Sequence, residues 1–173
     1  SSYLKLKEEF KDLKLVLVPR HPERANTIKD ILKRKNMDSE ISSDIKFNLN
    51  KHDIFIINAT GLLNILYKRA KVSFIGGSLF SKYGGHNIIE PAFNKSPFIV
   101  GPHMKNFEDV LSLFLKKDAC IQLKNPVQLY DAFKKLLNND ELRTHMIDNA
   151  IRVVSENKGS SNQQYKYIKH LIN

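Results

Sequence analysis

Short apolar runs punctuate the chain at residues 15–18, 54–57, 72–75, 98–100 and 119–123. Each is too short for a helix and is bounded by glycine, proline or polar residues, so each predicts a buried strand. A weaker run lies near residues 45–49. The segments between them have helical spacing. Residues 22–35 open on a proline, which suits a first helical turn. Residues 61–70 put Leu62, Leu63, Leu66 and Tyr67 on one side. Residues 106–117 repeat Phe107, Val110, Leu111 and Phe114 at three- and four-residue steps. Residues 126–137 place Leu129, Phe133, Leu136 and Leu137 on one face. Asn139 or Asp140 caps a further helix carrying Leu142, Met146, Ile147 and Ile151. Residues 37–44 read as the most loop-like internal stretch. KGSSNQQ, at 158–164, separates a last helix over 165–172 from the body.

Strands alternating with helices predict βαβ units: an α/β fold with a Rossmann-like parallel sheet and helices on both faces. The 173 residues are enough for one domain with a real core. No internal repeat or splitting linker is evident. No apolar stretch approaches the length of a membrane span. The single cysteine, Cys120, excludes an intrachain disulfide and reads as a small buried hydrophobe. The formal net charge is +10, and residues 1–36 carry half of that excess. Such a balance favours anionic partners. No Arg/Lys run interleaved with aromatics points to nucleic acid.

Polar residues cluster where the predicted strands end. VPRHPER (18–24) brings Arg20 to the end of the first strand, just before a helix start. Forked guanidinium donors beside orphan backbone N–H groups suit an anion, although capping charges on a surface loop would look the same. Asn58-Ala59-Thr60-Gly61-Leu62 follows another strand. Gly61 would let the backbone approach a base or sugar, while Thr60 could simply cap a helix. GGHNIIEP (84–91) sets His86, Asn87 and Glu90 at a helix start after two glycines. Asn87 could serve a phosphate and Glu90 the two hydroxyls of a ribose. The plainer alternative makes His86 and Asn87 caps and Glu90 a surface acid. His103, in GPHMKN, is open between ligand contact and loop residue. No metal-ligand cluster, Walker loop or GxSxG elbow is present. In a parallel sheet all these strand ends share one edge, and the ligand they imply has phosphate and ribose: a nucleotide or nucleotide sugar.

VPRHPER (18–24), FIGGSL (74–79), GGHNIIEPA (84–92) and GPHMKNF (101–107) together resemble the 3-deoxy-D-manno-octulosonic acid (Kdo) transferases, in order and spacing, over roughly residues 5–160. The resemblance implies one half of a GT-B glycosyltransferase: residues 1–173 as a single CMP-Kdo binding domain, lacking its first strand and the N-terminal acceptor domain. It implies transfer of Kdo from CMP-Kdo to a lipid A precursor in lipopolysaccharide synthesis, on the cytoplasmic side of the bacterial inner membrane, with no metal or other cofactor. By the same resemblance Pro19, Arg20, Thr60, Gly61, Leu62, Asn87, Ile88, Ile89 and Glu90 contact CMP, and Ser78 and His86 flank the donor. The catalytic base is implied to lie in the acceptor domain, so no catalytic residue is expected among these 173 and the chain alone is expected to be inactive. The partners implied are the donor, the lipid acceptor, the acceptor domain and the membrane face, and not nucleic acid.

The chain departs from the family at one turn. Where the family has Asp-Thr-x-Gly-Glu, this chain has Asn58, Ala59, Thr60, Gly61 and Leu62. Two acids are absent, and Leu62 can offer only backbone or apolar contact. A non-catalytic or decayed nucleotide-sugar binding module is therefore the alternative. An epimerase of the same general fold would need catalytic acids that these motifs hardly supply, and a nucleic-acid binder would rest on charge alone.

Overall fold

Strands β1 (Leu15–Leu17), β2 (Glu40–Ser42) and β3 (Ile54–Ile57) pair in the order β1-β3-β2, all parallel. The structure, a computed structural model, describes residues 2–157. The helix expected over 165–172 lies outside them. β3 takes the central place because all four of its residues are apolar and buried, as a strand flanked on both sides and covered on both faces requires. Its side chains alternate. Ile54 and Ile56 pack with Ala25, Leu32, Leu15 and Leu17, while Phe55 points the other way and stacks on Phe47 at 4.6 Å. Helix α1 (Ser2–Glu9) buries Leu6 and is tied to the strand entrance by Lys7, whose ammonium lies 2.9 Å from Asp53. Lys14 reaches the same carboxylate at 2.6 Å. These cations hold the Asp53 carboxyl below the usual range, Lys14 contributing most.

Two expectations fail in this part of the chain. The loop-like stretch 37–44 contains β2, and the weak strand at 45–49 does not form. β2 offers a single apolar residue, Ile41, between Glu40 and Ser42, so it shows no alternation; as the edge of the sheet it needs none. The apolar character of 45–49 has another cause: Phe47 covers Phe55. The 3-10 turn Pro22–Arg24 and helix α2 (Ala25–Lys33) realise the predicted helix after Pro22.

A second compact unit begins at Tyr67, within helix α3 (Leu63–Arg69). It holds β4 (Ser73–Ile75), β5 (Phe98–Val100) and β6 (Ile121–Gln122), again parallel, in the order β4-β5-β6. The parallel strands thus form two three-stranded sheets, where the sequence suggested one. The helices of this unit are α4 (Ile89–Phe93), α5 (Glu108–Lys116), α6 (Leu129–Leu137) and α7 (Asp140–Glu156). β5 shows why the sheet is covered twice. Phe98 and Val100 join a core with Ile88, Ile89, Leu111, Phe114 and Val153. Ile99, one step out of phase, joins a separate core with Leu123, Ala132, Leu136 and Met146. A period of two thus splits one strand between helices on opposite faces. Asn139 caps α7 as expected, its Oδ1 accepting the Leu142 N–H at 2.8 Å.

Candidate functional site

The carboxyl ends of β1 and β3 lie on one edge of the first sheet because the two strands run parallel and in register. That edge carries Pro19, half-buried, and Arg20, exposed. It also carries the turn after β3, in which Thr60 and Gly61 are exposed and Leu62 is half-buried. Gly61 has φ +80°, and a Cβ there would meet no heavy atom within 4 Å. This glycine is required by backbone conformation and not by crowding. Leu62 accepts the Leu66 N–H as α3 begins, so its carbonyl serves the helix.

In the second unit the ends of β4 and β5 share an edge in the same way. Here two loops are fastened to each other. Ser78, expected beside a donor, is wholly buried. Its hydroxyl donates to the Ile75 carbonyl at 2.5 Å and accepts the Gly101 N–H at 2.8 Å. Its own carbonyl accepts the His103 N–H at 2.9 Å. The Ser78 side chain is therefore a rivet between loops, with its hydroxyl committed to the main chain on both sides. A Cβ on Gly101 would fall 2.2 Å from the Ser78 carbonyl oxygen, so only glycine allows this approach.

The Gly84-Gly85 pair has φ +66° and +82°, a left-handed step closed to most residues. It turns the chain so that the Gly85 N–H donates to the Gly77 carbonyl at 2.9 Å. The ring of His86 then lies against Gly77, where a Cβ would come within 2.8 Å of it. His86 is half-buried, and its Nδ1 sits 3.1 Å from its neighbour's carbonyl.

Asn87 and Glu90 form the polar centre. Asn87 Oδ1 accepts the Ile89 N–H at 2.9 Å, and its Nδ2 donates to Glu90 Oε1 at 3.2 Å. The Oδ1 bond is an Asx turn leading into α4, whose N-cap is Ile88, and a phosphate contact from Asn87 would fall to its backbone N–H. α4 has only five residues, too few for a helix dipole to strengthen that contact. Glu90 is not the surface acid of the plainer alternative. It is half-buried, and burial pushes its carboxyl above the ordinary range, the Asn87 hydrogen bond opposing this. Ile88 and Ile89 are buried in the core, so their side chains anchor the segment and only their main chain could meet a ligand. An apolar groove between α5 and α7 takes in the Ile89 side chain and no charged group, so it cannot stand in for the polar edge.

Sequence reasoning missed three supporting residues. Tyr67 lies near enough to Glu90 for that charge to raise its phenol, already well above the usual range through burial. Met104 is buried beneath Gly85. Asn106 donates through Nδ2 to the Tyr83 carbonyl at 3.0 Å. Met104 and Asn106 belong to a motif the sequence singled out, but their roles depend on Gly85 and Gly84 in a different loop. Among the described residues no group of three His, Cys, Asp or Glu could hold a metal ion, and no helix is long and apolar enough to cross a membrane.

No protein-family model matches the chain. A 3-deoxy-D-manno-octulosonic acid transferase from Rickettsia typhi is 36% identical over 169 residues, covering 96% of this chain and 36% of the relative. One from Haemophilus influenzae is 31% identical over 160 residues, covering 92% of this chain and 37% of the relative. The chain thus spans about a third of the length of the curated relatives it matches. Among solved structures, the C-terminal CMP-Kdo binding domain of WaaA from Acinetobacter baumannii superposes with a TM-score of 0.82 at 27% identity, covering 88% of this chain and 79% of that one. The chain belongs with the 3-deoxy-D-manno-octulosonic acid transferases and has the fold of the C-terminal domain of these GT-B glycosyltransferases.

Proposed function

We propose that this chain binds the nucleotide sugar CMP-Kdo as the donor-side domain of a Kdo transferase that acts on a lipid A precursor. The observation carrying the proposal is the likeness to the Acinetobacter CMP-Kdo binding domain, which spans most of both chains. The half-buried Glu90, held by Asn87 at the end of a glycine-shaped loop, supports it. Its carboxylate would accept the two ribose hydroxyls, and the Asn87 main-chain N–H would meet the phosphate. Arg20, exposed on the carboxyl edge of the first sheet, is the candidate anion contact of its own unit.

In transfer, the acceptor hydroxyl would lose its proton to a general base in the acceptor-binding part of the enzyme and attack the anomeric carbon of Kdo, and CMP would depart. The reaction would take place at the cytoplasmic face of the inner membrane. Because that base is assigned to the acceptor-binding part, the polypeptide alone should catalyse no transfer from CMP-Kdo. Turnover by the purified chain would contradict this division of labour.

Nucleotide-induced stabilisation tests donor binding directly. At a hundred times its dissociation constant, CMP should stabilise the fold by about 2.7 kcal/mol. For a chain of this size that raises Tm by roughly 5–10 °C. GMP at the same concentration should do far less. Equal shifts with both, or none with CMP, would remove the CMP-sugar reading and leave a module of another specificity.

A further inference from the structure

The loop that presents His86 and Asn87 is seated at three points. Gly85 donates back to Gly77. Below, a Cβ on Gly85 would come within 2.3 Å of the Met104 sulfur. At the side stands Asn106. Its N–H donates to the Gly84 carbonyl at 2.9 Å, its Nδ2 donates to the Tyr83 carbonyl at 3.0 Å, and its side chain lies where a Gly84 Cβ would be, at 2.8 Å. Asn106 sits in the 3-10 turn Lys105–Phe107, ahead of α5, and no side-chain cap bond forms at the start of either. It is exposed, so burial does not compel its side chain to find this partner. Its main-chain and side-chain donors both go to two consecutive carbonyls of the neighbouring loop.

We propose that Asn106 is a positioning residue for the donor site: by clasping the Tyr83 and Gly84 carbonyls it fixes the left-handed Gly84-Gly85 step and thereby the place of His86, Asn87 and Glu90. This rests on the donor-binding reading above. The clasp works through the loop. It acts by removing alternative positions of the loop, so its loss should weaken nucleotide binding without unfolding the protein. Asn106→Asp separates the hydrogen bond from the packing. It keeps the shape beside Gly84, but its carboxylate faces the Tyr83 carbonyl with no proton to donate.

The test is calorimetric titration of the chain with CMP, comparing wild type, Asn106→Asp and Asn106→Ala, with Tm measured on each. Both variants should bind about three- to tenfold more weakly, as for loss of one hydrogen bond, with Tm little changed. The ratio of Asn106→Asp to wild-type affinity should recover as pH falls to about 4, where a protonated carboxyl regains a donor. Affinities equal to wild type, or a ratio flat in pH, overturn the proposal. If wild type itself binds no CMP, the donor-site reading fails, and amide hydrogen exchange decides the clasp alone. Faster exchange at Gly85 in Asn106→Asp then upholds it, and unchanged exchange overturns it.

Discussion

The Asn87 amide nitrogen donates to Glu90 Oε1 across 3.2 Å while its oxygen accepts the Ile89 N–H at 2.9 Å. One side chain thus leads into α4 and orients the acid that α4 carries. Glu90 needs this partner because burial raises its carboxyl pKa. A raised folded-state pKa gives a stability contribution that is present below the unfolded value, about 4.3 for a glutamate, and lost as pH rises through the folded value. Glu90→Gln should therefore stabilise the protein at neutral pH, and the gain should vanish below pH ~4. Urea unfolding at a series of pH values reads this directly. A pH-independent difference would contradict it.

Removing the other partner should act in the opposite direction. Asn87→Ala loses the hydrogen bond that its Oδ1 accepts from the Ile89 N–H, worth about 1 kcal/mol. It also loses the hydrogen bond that holds the Glu90 carboxyl down. The Glu90 titration, followed by carbon NMR of the side-chain carboxyl, should move to higher pH than in wild type. An unmoved titration would separate the two residues.

The glycines of the two sheets should respond differently to the same substitution. Gly101→Ala drives a Cβ into the Ser78 backbone at 2.2 Å, with no flexible atom to yield. It should cost about 3 kcal/mol or more and weaken the join between the loops. Gly61→Ala has φ +80° but open space around it, so only conformational strain of about 1–2 kcal/mol applies. Denaturation midpoints that fall equally would show that the Ser78–Gly101 approach is not as tight as described.

Cys120 should be inert in the native protein. It is buried, and burial pushes its thiol up to about 12, so thiolate is scarce at neutral pH. A thiol reagent should label it only at the rate of unfolding. Rapid labelling under native conditions would show that the core around Ala119 opens.

The strands with continuous apolar runs, such as 54–57 and 98–100, could be read from the chain because burial on two faces leaves no polar positions in them. β2 could not, since an edge strand with Ile41 alone carries almost no pattern. The cap at Asn139 was legible because it is local: donor and acceptor lie three residues apart. The Ser78–Gly101 rivet was not, since its partners are 23 residues apart and neither is chemically unusual. The same holds at the candidate site. The sequence located Asn87 and Glu90 beside each other on a short helix start, but the half-burial that makes Glu90 more than a surface acid comes from tertiary packing. Ser78, Ile88 and Ile89 sit inside matching motifs, yet their side chains face the core. Motif matching finds a segment and cannot tell its lining from its anchors.

The claim that Glu90 reads the ribose is tested most directly by calorimetry with CMP and 2′,3′-dideoxy-CMP on wild type and Glu90→Gln. If Glu90 accepts both hydroxyls, wild type should prefer CMP by about tenfold or more, as expected for hydrogen bonds to a charged group, and Glu90→Gln should lose most of that preference. The same preference in both proteins, or none in wild type, would contradict the assignment of this residue and with it the reading of the site.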